Sequence, residues 1–438
     1  MITSKNVKLH DNFNEAIVQL CVFEGINYDR LEPLIFSRPT YHLICGINSL
    51  RAKIVRSYPG IKYSLHCRSY LDSVVRIHNP GIPINKIEDN SCLFINGRVL
   101  APLNMAEIIP LEGEDKLYIN GDSIVAARVS GSKLDEIKNR LHDLLSESNF
   151  GGLPVEKVDV KTIDYIWDLV NNNGPEIYSD FKYLMEKVHA GEENIKGKIH
   201  PGAYIIEKDN VYIEEGAVIK PGVVIDGTKG PVYIDREAII YPNAVLEGAV
   251  YIGESTLVKS GAILYENVSV GKVCKVGGEI EDSIILPYTN KQHSGFLGHS
   301  YLGSWVNIGA DTNCSDLKNN YGFVKVYVNG EVVDSGSQFL GVIMGDHTKT
   351  AINTMFNTGT IVGVSCNIFG AGFPPKYLPS FSWGGTDALT TYDIERSIET
   401  AKRVMERRFE SLHDVEEKLF RKIFDLTKKE RRKRGYPY

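Results

Sequence analysis

The chain has 438 residues, 43% of them hydrophobic and 24% charged, which is the composition of a globular protein with more than one structural unit. Its net charge of −6 argues against an extended nucleic-acid-binding surface. No apolar run reaches about 18 residues, and residues 1–11 lack the apolar centre of a secretory signal. We therefore expect a cytoplasmic protein with neither a nucleic-acid nor a membrane partner.

The seven cysteines are spread widely, without a CxxC pair or a zinc-ligand spacing. Free thiols in a reducing compartment are the expected state, and small buried apolar side chains are the simplest reading of each. No metal site is predicted from them.

Residues 1–160 alternate apolar segments with segments of helical period, which predicts an α/β domain with a largely parallel sheet. The clearest segments are 16–23 and 91–97 for strands, and 49–58 and 133–148 for helices. Ser132 is the expected N-cap of the last of these. Residues 161–195 read as a helical linker.

Residues 196–373 contain a six-residue repeat, beginning at Val211 with VYIEEG, AVIKPG and VVIDGT. The repeat continues after three inserted residues and resumes twice more, from Ser294 and from Val342. The third position of nearly every unit is aliphatic, and Thr350 is the weak member. Three such hexads make one coil of about 18 residues, and stacked coils bury a continuous apolar column. A right-handed solenoid is the alternative, but the regular hexads favour a left-handed parallel β-helix by analogy.

An insertion at 315–337 interrupts the hexads, and its Asn329-Gly330 pair predicts a hairpin. Residues 374–438 follow the repeat. They are expected to form a capping segment at 374–385 and an amphipathic helical tail from Tyr392 to Arg434. The basic end of this tail, 428–434, reads as a solvated helix rather than a nucleic-acid or membrane contact.

The segment from His293 to Asp311, HSGFLGHSYLGSWVNIGAD, carries a resemblance to a known family. It resembles the acetyltransferase half of the bifunctional N-acetylglucosamine-1-phosphate uridylyltransferase / glucosamine-1-phosphate acetyltransferase family, whose His-to-Asn spacing equals that from His293 to Asn307. His299 does not fit that spacing. A divergent branch of putative sugar nucleotidyltransferases is more similar still. Its motifs match four segments: Asn290–Gly298, Gly309–Gly322, Met344–His347 and Asn353–Thr360.

This resemblance implies a homotrimer with its site in the groove between neighbouring solenoids. His293 would be the general base on an amino-sugar phosphate, and acetyl-CoA the donor. The alternative is that His293 is a turn residue hydrogen-bonded to backbone. The implied substrate-binding residues are Lys291, Asn307, Asn320, Tyr321, Lys325 and Asn353.

In the N-terminal half the family carries a glycine-rich phosphate loop and an Asn-Gly-Asp whose carboxylate binds Mg²⁺. The corresponding loop here has lost its second glycine, Thr40 stands in a lysine position, and Asn96-Gly97-Arg98 replaces Asn-Gly-Asp. An arginine cannot ligate Mg²⁺ but can contact phosphate. The resemblance thus implies weakened nucleotidyl transfer, with Mg²⁺ as its metal, or ion pairs in place of a site. The nucleotide- or phosphate-binding candidates are Gly25, Arg30, Arg38, Asn96 and Arg98.

Two functional hypotheses follow. The first is a sugar-1-phosphate-modifying transferase of the UDP-N-acetylglucosamine type, which transfers an acetyl group in the β-helix and a nucleotidyl group in the N-terminal domain. The second is a catalytically degraded sugar-nucleotide-binding regulatory or scaffold protein.

Overall fold

The computed structural model describes residues 18–437, which form an N-terminal α/β domain, a β-solenoid and C-terminal helices. The predicted fold class is confirmed in these parts. No helix among these residues is both long and apolar enough to cross a bilayer.

The N-terminal domain is built on a mixed six-stranded sheet of order β4-β1-β5-β7-β6-β8. The strands of the domain, in chain order from β1 to β8, are Val18–Phe23, Ile44–Cys45, Asn48–Ser49, Tyr63–Leu65, Ser91–Asn96, Lys116–Asn120, Ser123–Ser130 and Val155–Lys157. β1 is parallel to β4 and β5, but β7 is antiparallel to both of its neighbours. The sheet is therefore mixed rather than largely parallel. The difference from the expectation lies at β7, because a tight turn at Gly121-Asp122 makes β6 and β7 a hairpin.

Five helices accompany this sheet. From α1 to α5 they are Leu50–Arg56, Asp72–His78, Met105–Ile108, Gly131–Lys138 and Ile166–Tyr183, the last continued by a π-helical turn at Leu184–Val188. The predicted helix over 133–148 stops at Lys138, and its N-cap is Ser130 rather than Ser132. A tertiary contact ends it, since the backbone of Leu145 exchanges hydrogen bonds with Glu24 and Ile26 beside β1.

The solenoid has three parallel faces, which the chain visits in the order A, B, C. Face A comprises Val211–Ile213, Val232–Ile234, Val250–Ile252, Val268–Val270, Ile284–Ile285, Tyr301–Leu302, Ile343–Met344, Ile361–Val362 and Tyr377–Leu378. Face B comprises Lys198–Ile199, Val218–Ile219, Ile239–Ile240, Leu257–Val258, Lys275–Val276, Asn290–Lys291, Lys349–Thr350, Asn367–Ile368 and Ser382–Gly384, with Asn307 bridging the gap. Face C comprises Tyr204–Ile206, Val224–Asp226, Val245–Glu247, Ile263–Leu264, Glu279–Glu281, Phe296–Gly298, Asn313–Cys314 and Met355–Phe356.

The third residue of nearly every hexad points into the solenoid and is buried there, as the repeat predicts. In the unit that begins at Ser294 the inward residue is instead the fourth, Leu297, which pairs with Ile280. The weak member, Thr350, also points inward, and its hydroxyl accepts a hydrogen bond from the backbone N–H of Gly309 at 2.9 Å. The turns between faces use left-handed backbone, at Asn243 and Gly261 for example, where φ is 61° and 69°.

The solenoid extends past its predicted end, because Tyr377–Leu378 and Ser382–Gly384 pair with the preceding coil. The segment expected to cap the solenoid is therefore partly a further coil. An antiparallel strand, Leu389–Thr391, closes the edge of face B. The insertion forms the predicted hairpin, Lys325–Val328 with Glu331–Asp334.

Three helices follow the solenoid: α6 at Ile394–Glu406, α7 at Asp414–Leu426 and α8 at Lys428–Lys433. The basic end is a helix whose Lys429, Arg432, Lys433 and Arg434 are exposed, as expected, but Arg431 is an exception. Arg431 is fully buried, its guanidinium donates to the carbonyl of Ser380 at 3.0 Å, and it lies 4.2 Å from the ring centroid of Phe424. All seven cysteines are buried free thiols, as predicted.

The N-terminal domain packs on face A through α5 and the β2–β3 turn. The hydroxyl of Tyr301 donates to the carbonyl of Ile44 at 3.0 Å, and that of Ser269 donates to the carbonyl of Gly46 at 2.7 Å. Gly46 has a φ of 82°, and a Cβ there would lie 2.7 Å from Asp180. The contact therefore requires glycine.

Asp180 on α5 is the centre of a buried charge network. Its carboxylate accepts from Lys53 and Arg56, each at 2.6 Å, and from the backbone N–H of Ile47 and Asn48. Asp180→Asn would remove the carboxylate that pairs with Arg56 and one of the two that pair with Lys53, which keeps Glu176 at 2.7 Å. Breaking a buried pair costs about 3–5 kcal/mol.

We expect Asp180→Asn to lower the free energy of unfolding by about 3 kcal/mol in a urea titration. Asp135→Asn, at a carboxylate that is 73% exposed, is the control and should change it by less than about 0.5 kcal/mol. Equal effects of the two variants would show that this network does not hold α5 against α1 and the β2–β3 turn.

Candidate functional site

Face B carries a row of polar side chains on its outer surface. Lys275, Asn290, Asn307, Lys349 and Asn367 lie in register on successive coils. The Nδ2 of Asn290 donates to Oδ1 of Asn307 at 3.3 Å. Burial lowers the pKa of the Lys349 amine to about 8. We call this row the polar ladder, and it can offer donors and acceptors to a polar ligand along the face.

The C-terminal part of the chain reaches the polar ladder. Arg408, just beyond α6, donates to Oδ1 of Asn290 at 2.7 Å. Nearby, the hydroxyl of Tyr288 donates to Glu410 at 2.8 Å. The ladder therefore has a cationic side chain from outside the solenoid at its centre.

His293 lies at the corner between faces B and C, and its side chain is exposed. Asp311 and Asn353 occupy the same corner on the next two coils, because the N–H of Asp311 donates to Ser294 O and that of Asn353 donates to Ala310 O. Coils are about 4.8 Å apart, so Asn353 is about 10 Å from the His293 turn along the solenoid axis. This corner thus combines an imidazole with polar groups at one edge of the ladder.

Lys291 does not face a substrate, although it was a predicted contact. It points into the solenoid beside Val276 and is 1% exposed. Its amine donates to the carbonyls of Gly277, His293 and Ser294 at 2.9, 2.6 and 3.2 Å. Burial lowers the pKa of this amine to about 8. The role of Lys291 is to fix the turn that carries His293.

Asn320, Tyr321 and Lys325 lie elsewhere. They belong to the insertion, which leaves the solenoid at the far end of face C, after Cys314. His293 precedes face C and the insertion follows it, so one chain does not bring these residues together. All three side chains are exposed, and Tyr321 is 67% exposed.

His299 sits at the corner between faces C and A, in an ionic cluster. Its Nδ1 is 2.9 Å from Asp316 and its Nε2 is 3.6 Å from Asp282, and Phe339 stacks on the ring. Burial alone lowers the pKa of His299, but the hydrogen bond to Asp316 and the charge of Asp282 outweigh it and leave the pKa raised. A histidine whose protonated form is favoured by two carboxylates is suited to a structural ion pair rather than to a base.

In the N-terminal domain, Gly25, Asn96 and Arg98 converge at the carboxyl ends of β1 and β5, where open α/β sheets bind ligands. The cleft that they line measures only about 60 Å³. A Cβ on Gly25 would lie 3.2 Å from the carbonyl of Leu145, and the N–H of Ile26 already donates to that oxygen. The backbone here is occupied by protein contacts.

The predicted phosphate-binding arginines have partners within the protein. Arg98 is buried and donates to Asp164 at 2.6 Å and to the carbonyl of Ile163 at 2.9 Å. Arg38 forms an ion pair with Asp346 of the solenoid. Arg30 lies 5.5 Å from the ring centroid of Tyr165. Arg38 and Arg98 therefore form ion pairs within the protein, which was the alternative to phosphate binding.

A buried ion pair that the sequence did not reveal fixes the loop after β1. Glu24 is fully buried and accepts from the side chain and backbone of Arg68 at 3.1 Å and from the N–H of Thr40 at 2.8 Å. Arg68 in turn donates to the carbonyls of Ile35 and Arg38. The loop is thereby closed down on the domain rather than open to a phosphate.

The Mg²⁺ expectation can be compared with the donors present. Within residues 18–437, no three His, Cys, Asp or Glu side chains are grouped so as to hold a metal. At the position of the metal carboxylate stands Arg98, already paired with Asp164. These residues do not fit Mg²⁺.

Residues 20–188 match the family model described as sugar nucleotidyl transferase. The chain is 31% identical over 237 residues to "Bifunctional protein GlmU" of Methanocaldococcus jannaschii, covering 54% of this chain and 46% of that relative. It is 31% identical over 239 residues to the "Bifunctional sugar-1-phosphate nucleotidylyltransferase/acetyltransferase" of Sulfurisphaera tokodaii, covering 46% of this chain and 58% of that one. The matched regions thus span about half the length of these curated relatives.

Among solved structures, UDP-N-acetylglucosamine acyltransferase from Campylobacter jejuni aligns with 50% of this chain and 94% of its own, at 16% identity and a TM-score of 0.30. The N-terminal region is therefore a sugar nucleotidyltransferase domain with distant homologues among bifunctional enzymes, as the sequence motifs indicated.

His299 gives a test by pH. Because its pKa is raised in the folded protein, the native state binds the proton more tightly than the unfolded chain. The resulting stabilisation is fully present below the unfolded pKa of about 6.5 and is lost as pH rises through the raised native pKa. His299→Gln should therefore lower the melting temperature more at pH 5.5 than at pH 9. His142→Gln, at a 71% exposed side chain, should have little effect at either pH. A His299→Gln deficit that is the same at both pH values would exclude the ion-paired state.

Proposed function

We propose that this protein, a sugar nucleotidyltransferase-type domain joined to a β-solenoid, transfers an acetyl group from acetyl-CoA to the amine of an amino-sugar phosphate. The observation that carries the proposal is the exposed imidazole of His293 at a solenoid corner beside the polar ladder. The Sulfurisphaera tokodaii relative, which is named as a nucleotidylyltransferase/acetyltransferase, supports the same function.

His293 is the general base. The sugar amine attacks the thioester carbonyl, a C–N bond forms, and the C–S bond of the thioester breaks. The imidazole takes the proton that the amine loses and returns it to the departing thiolate, so the step is balanced. An imidazole suits this exchange because its ordinary pKa of about 6.5 lies close to neutral pH.

Lys291 acts as a positioning residue through the carbonyls of His293 and Ser294. Asn307 and Asn353 are substrate contacts in this proposal, the first from the polar ladder and the second from the His293 corner. Neither requires a change in the solenoid backbone, because both already project outward at regular coil positions.

The site is completed by a neighbouring chain. Among residues 18–437, no hydrogen bond orients the imidazole of His293, whereas a general base is usually held by a partner group. The exposed Asn320, Tyr321 and Lys325 lie at another corner of the same chain. A closed trimer would bring the insertion of one solenoid against the His293 corner of the next.

Nucleotidyl transfer by the N-terminal domain is weak or lost in this proposal. The cleft of about 60 Å³ at Gly25, Asn96 and Arg98 is smaller than the roughly 300 Å³ at which ligand sites begin. Transfer would need this loop to open, and the buried Glu24–Arg68 pair opposes that. The small, closed cleft also favours the second candidate, a catalytically degraded regulatory or scaffold protein.

Product analysis separates the two candidates. The full-length protein is incubated with acetyl-CoA, with UTP or dTTP, and with a panel of hexose and hexosamine 1-phosphates, and the products are analysed by mass spectrometry. Acetylated hexosamine phosphate with free CoA supports the transferase. Turnover of none of these substrates would leave the scaffold as the function.

His293→Ala should lower acetyl transfer by about 10²–10⁴-fold, because the proton transfer loses its base. Its melting temperature should stay within about 1 °C of wild type, since the side chain is exposed. His200→Ala is the matched control, a histidine at the same corner of the first coil, and should retain full activity. His299→Ala is unsuitable as a control because His299 is ion-paired. Full activity of His293→Ala would show that His293 is not the general base.

A further inference from the structure

A cavity of about 600 Å³ lies where the N-terminal domain, the solenoid and the C-terminal helices meet. This is within the range of small-molecule sites, about 300–1,000 Å³. It is separate from the His293 corner, because it opens at the corner between faces A and B. Its lining includes Asp346 and His347 of the Met344–His347 motif, which the proposed acyl transfer does not use.

Three aromatic rings form the solenoid wall of this cavity. Tyr288, Trp305 and His347 occupy the same turn position on successive coils. Tyr288 and Trp305 stack at 4.2 Å between centroids, and Trp305 and His347 at 6.0 Å. Each ring residue has a φ near 60°, at 66°, 61° and 59°.

The left-handed backbone at these turns belongs to the coil, since the same corner has a positive φ on other coils at Glu237, Ser255, Val273 and Ser365. What distinguishes the coils of the cavity is the side chain at that turn, which is a ring on each of them. Three stacked rings form a flat wall against which a ring-shaped ligand can pack.

The charge of the lining favours an anion. Its cationic side chains are Arg38, Arg51 and Lys272, whereas its carboxylates are Asp346 and Glu416. Both carboxylates are engaged, Asp346 by Arg38 and the N–H of Ser304, and Glu416 by His78 and the N–H of His413. Lys272 stands at the rim, with its amine 5.8 Å from the ring centroid of Tyr288.

Two imidazoles add polar atoms that the protein does not use. His347 is 7% exposed, and none of residues 18–437 hydrogen-bonds its buried Nδ1. The buried Nε2 of His42 is likewise without a protein partner in that range. A buried polar atom without a partner is destabilising, and a bound ligand that hydrogen-bonds to it would offset that cost.

Apolar side chains from all three units make up much of the remaining lining. Leu286 and Val364 belong to the solenoid, Val74 to α2, and Leu419 and Phe420 to α7. A simple inorganic ion would leave these surfaces against water. The cavity therefore suits an anionic group attached to an apolar or ring-shaped body.

We propose that this cavity binds a small organic anion, in which a phosphate or carboxylate is carried on an apolar or ring-shaped body. The ligand contacts the N-terminal domain, the solenoid and α7 together, so its binding stabilises their arrangement. The inference does not depend on acyl transfer at His293.

The test uses 1-anilinonaphthalene-8-sulfonate, a ring body with one anionic group, and the full-length protein under native conditions. Its fluorescence is titrated, and uridine 5′-monophosphate and benzoate are then added as competitors to distinguish a phosphate ester from a carboxylate. One saturable site, displaced by at least one competitor, is the expected result.

Three variants assign the site. Lys272→Met removes a rim cation and should weaken binding about tenfold, whereas Lys259→Met, outside the cavity, should leave it unchanged. Ala52→Trp fills the cavity from α1 and should abolish binding. His347→Asn keeps a residue suited to the left-handed turn but removes the imidazole, and should weaken binding about tenfold in a protein that still folds. Probe binding that survives Ala52→Trp in a folded protein, or equal affinities of Lys272→Met and Lys259→Met, would overturn the proposal.

Discussion

The structure depends on the closure of each solenoid coil. Each coil turns three corners, and nearly every strand of faces A, B and C places an apolar side chain inside the solenoid. The inward positions are thereby committed to packing, so chemistry is confined to the corners, the outer surfaces and the insertion. His293, the polar ladder and the ring wall of the cavity each occupy one of these permitted places.

Polar residues at the inward strand positions, Lys291 and Thr350, have all their hydrogen-bonding groups paired with backbone. Lys291 satisfies its amine with three backbone carbonyls, and Thr350 takes a backbone N–H, so neither leaves an unpaired group inside. Lys291 also fixes the turn before face C. A residue in the core thus determines how an exposed imidazole is presented, which links packing directly to the proposed chemistry.

The solenoid could be predicted because its pattern is local and repeats every six residues, and the hairpin at Asn329-Gly330 followed from turn chemistry alone. The N-terminal domain was less accessible. The Glu24–Arg68 pair joins residues that are 44 positions apart, and no spacing rule indicates such a contact. The burial of Arg431 was missed for the same reason, since a basic run looks solvated until its packing partners are known. The cavity depends on three units at once and could not be read from any one of them.

In the proposed mechanism, the His293 corner becomes an acyl-transfer site only when the insertion of a neighbouring chain meets it. Subunit complementation tests this most directly. His293→Ala and Lys325→Ala chains, each inactive alone, are co-expressed at equal levels, and the acetyl transfer of the purified oligomers is measured. Random mixing of a shared site predicts that about a quarter of the sites regain both intact residues, so activity returns to about that fraction of wild type. Mixed oligomers no more active than either parent variant would contradict a site shared between chains.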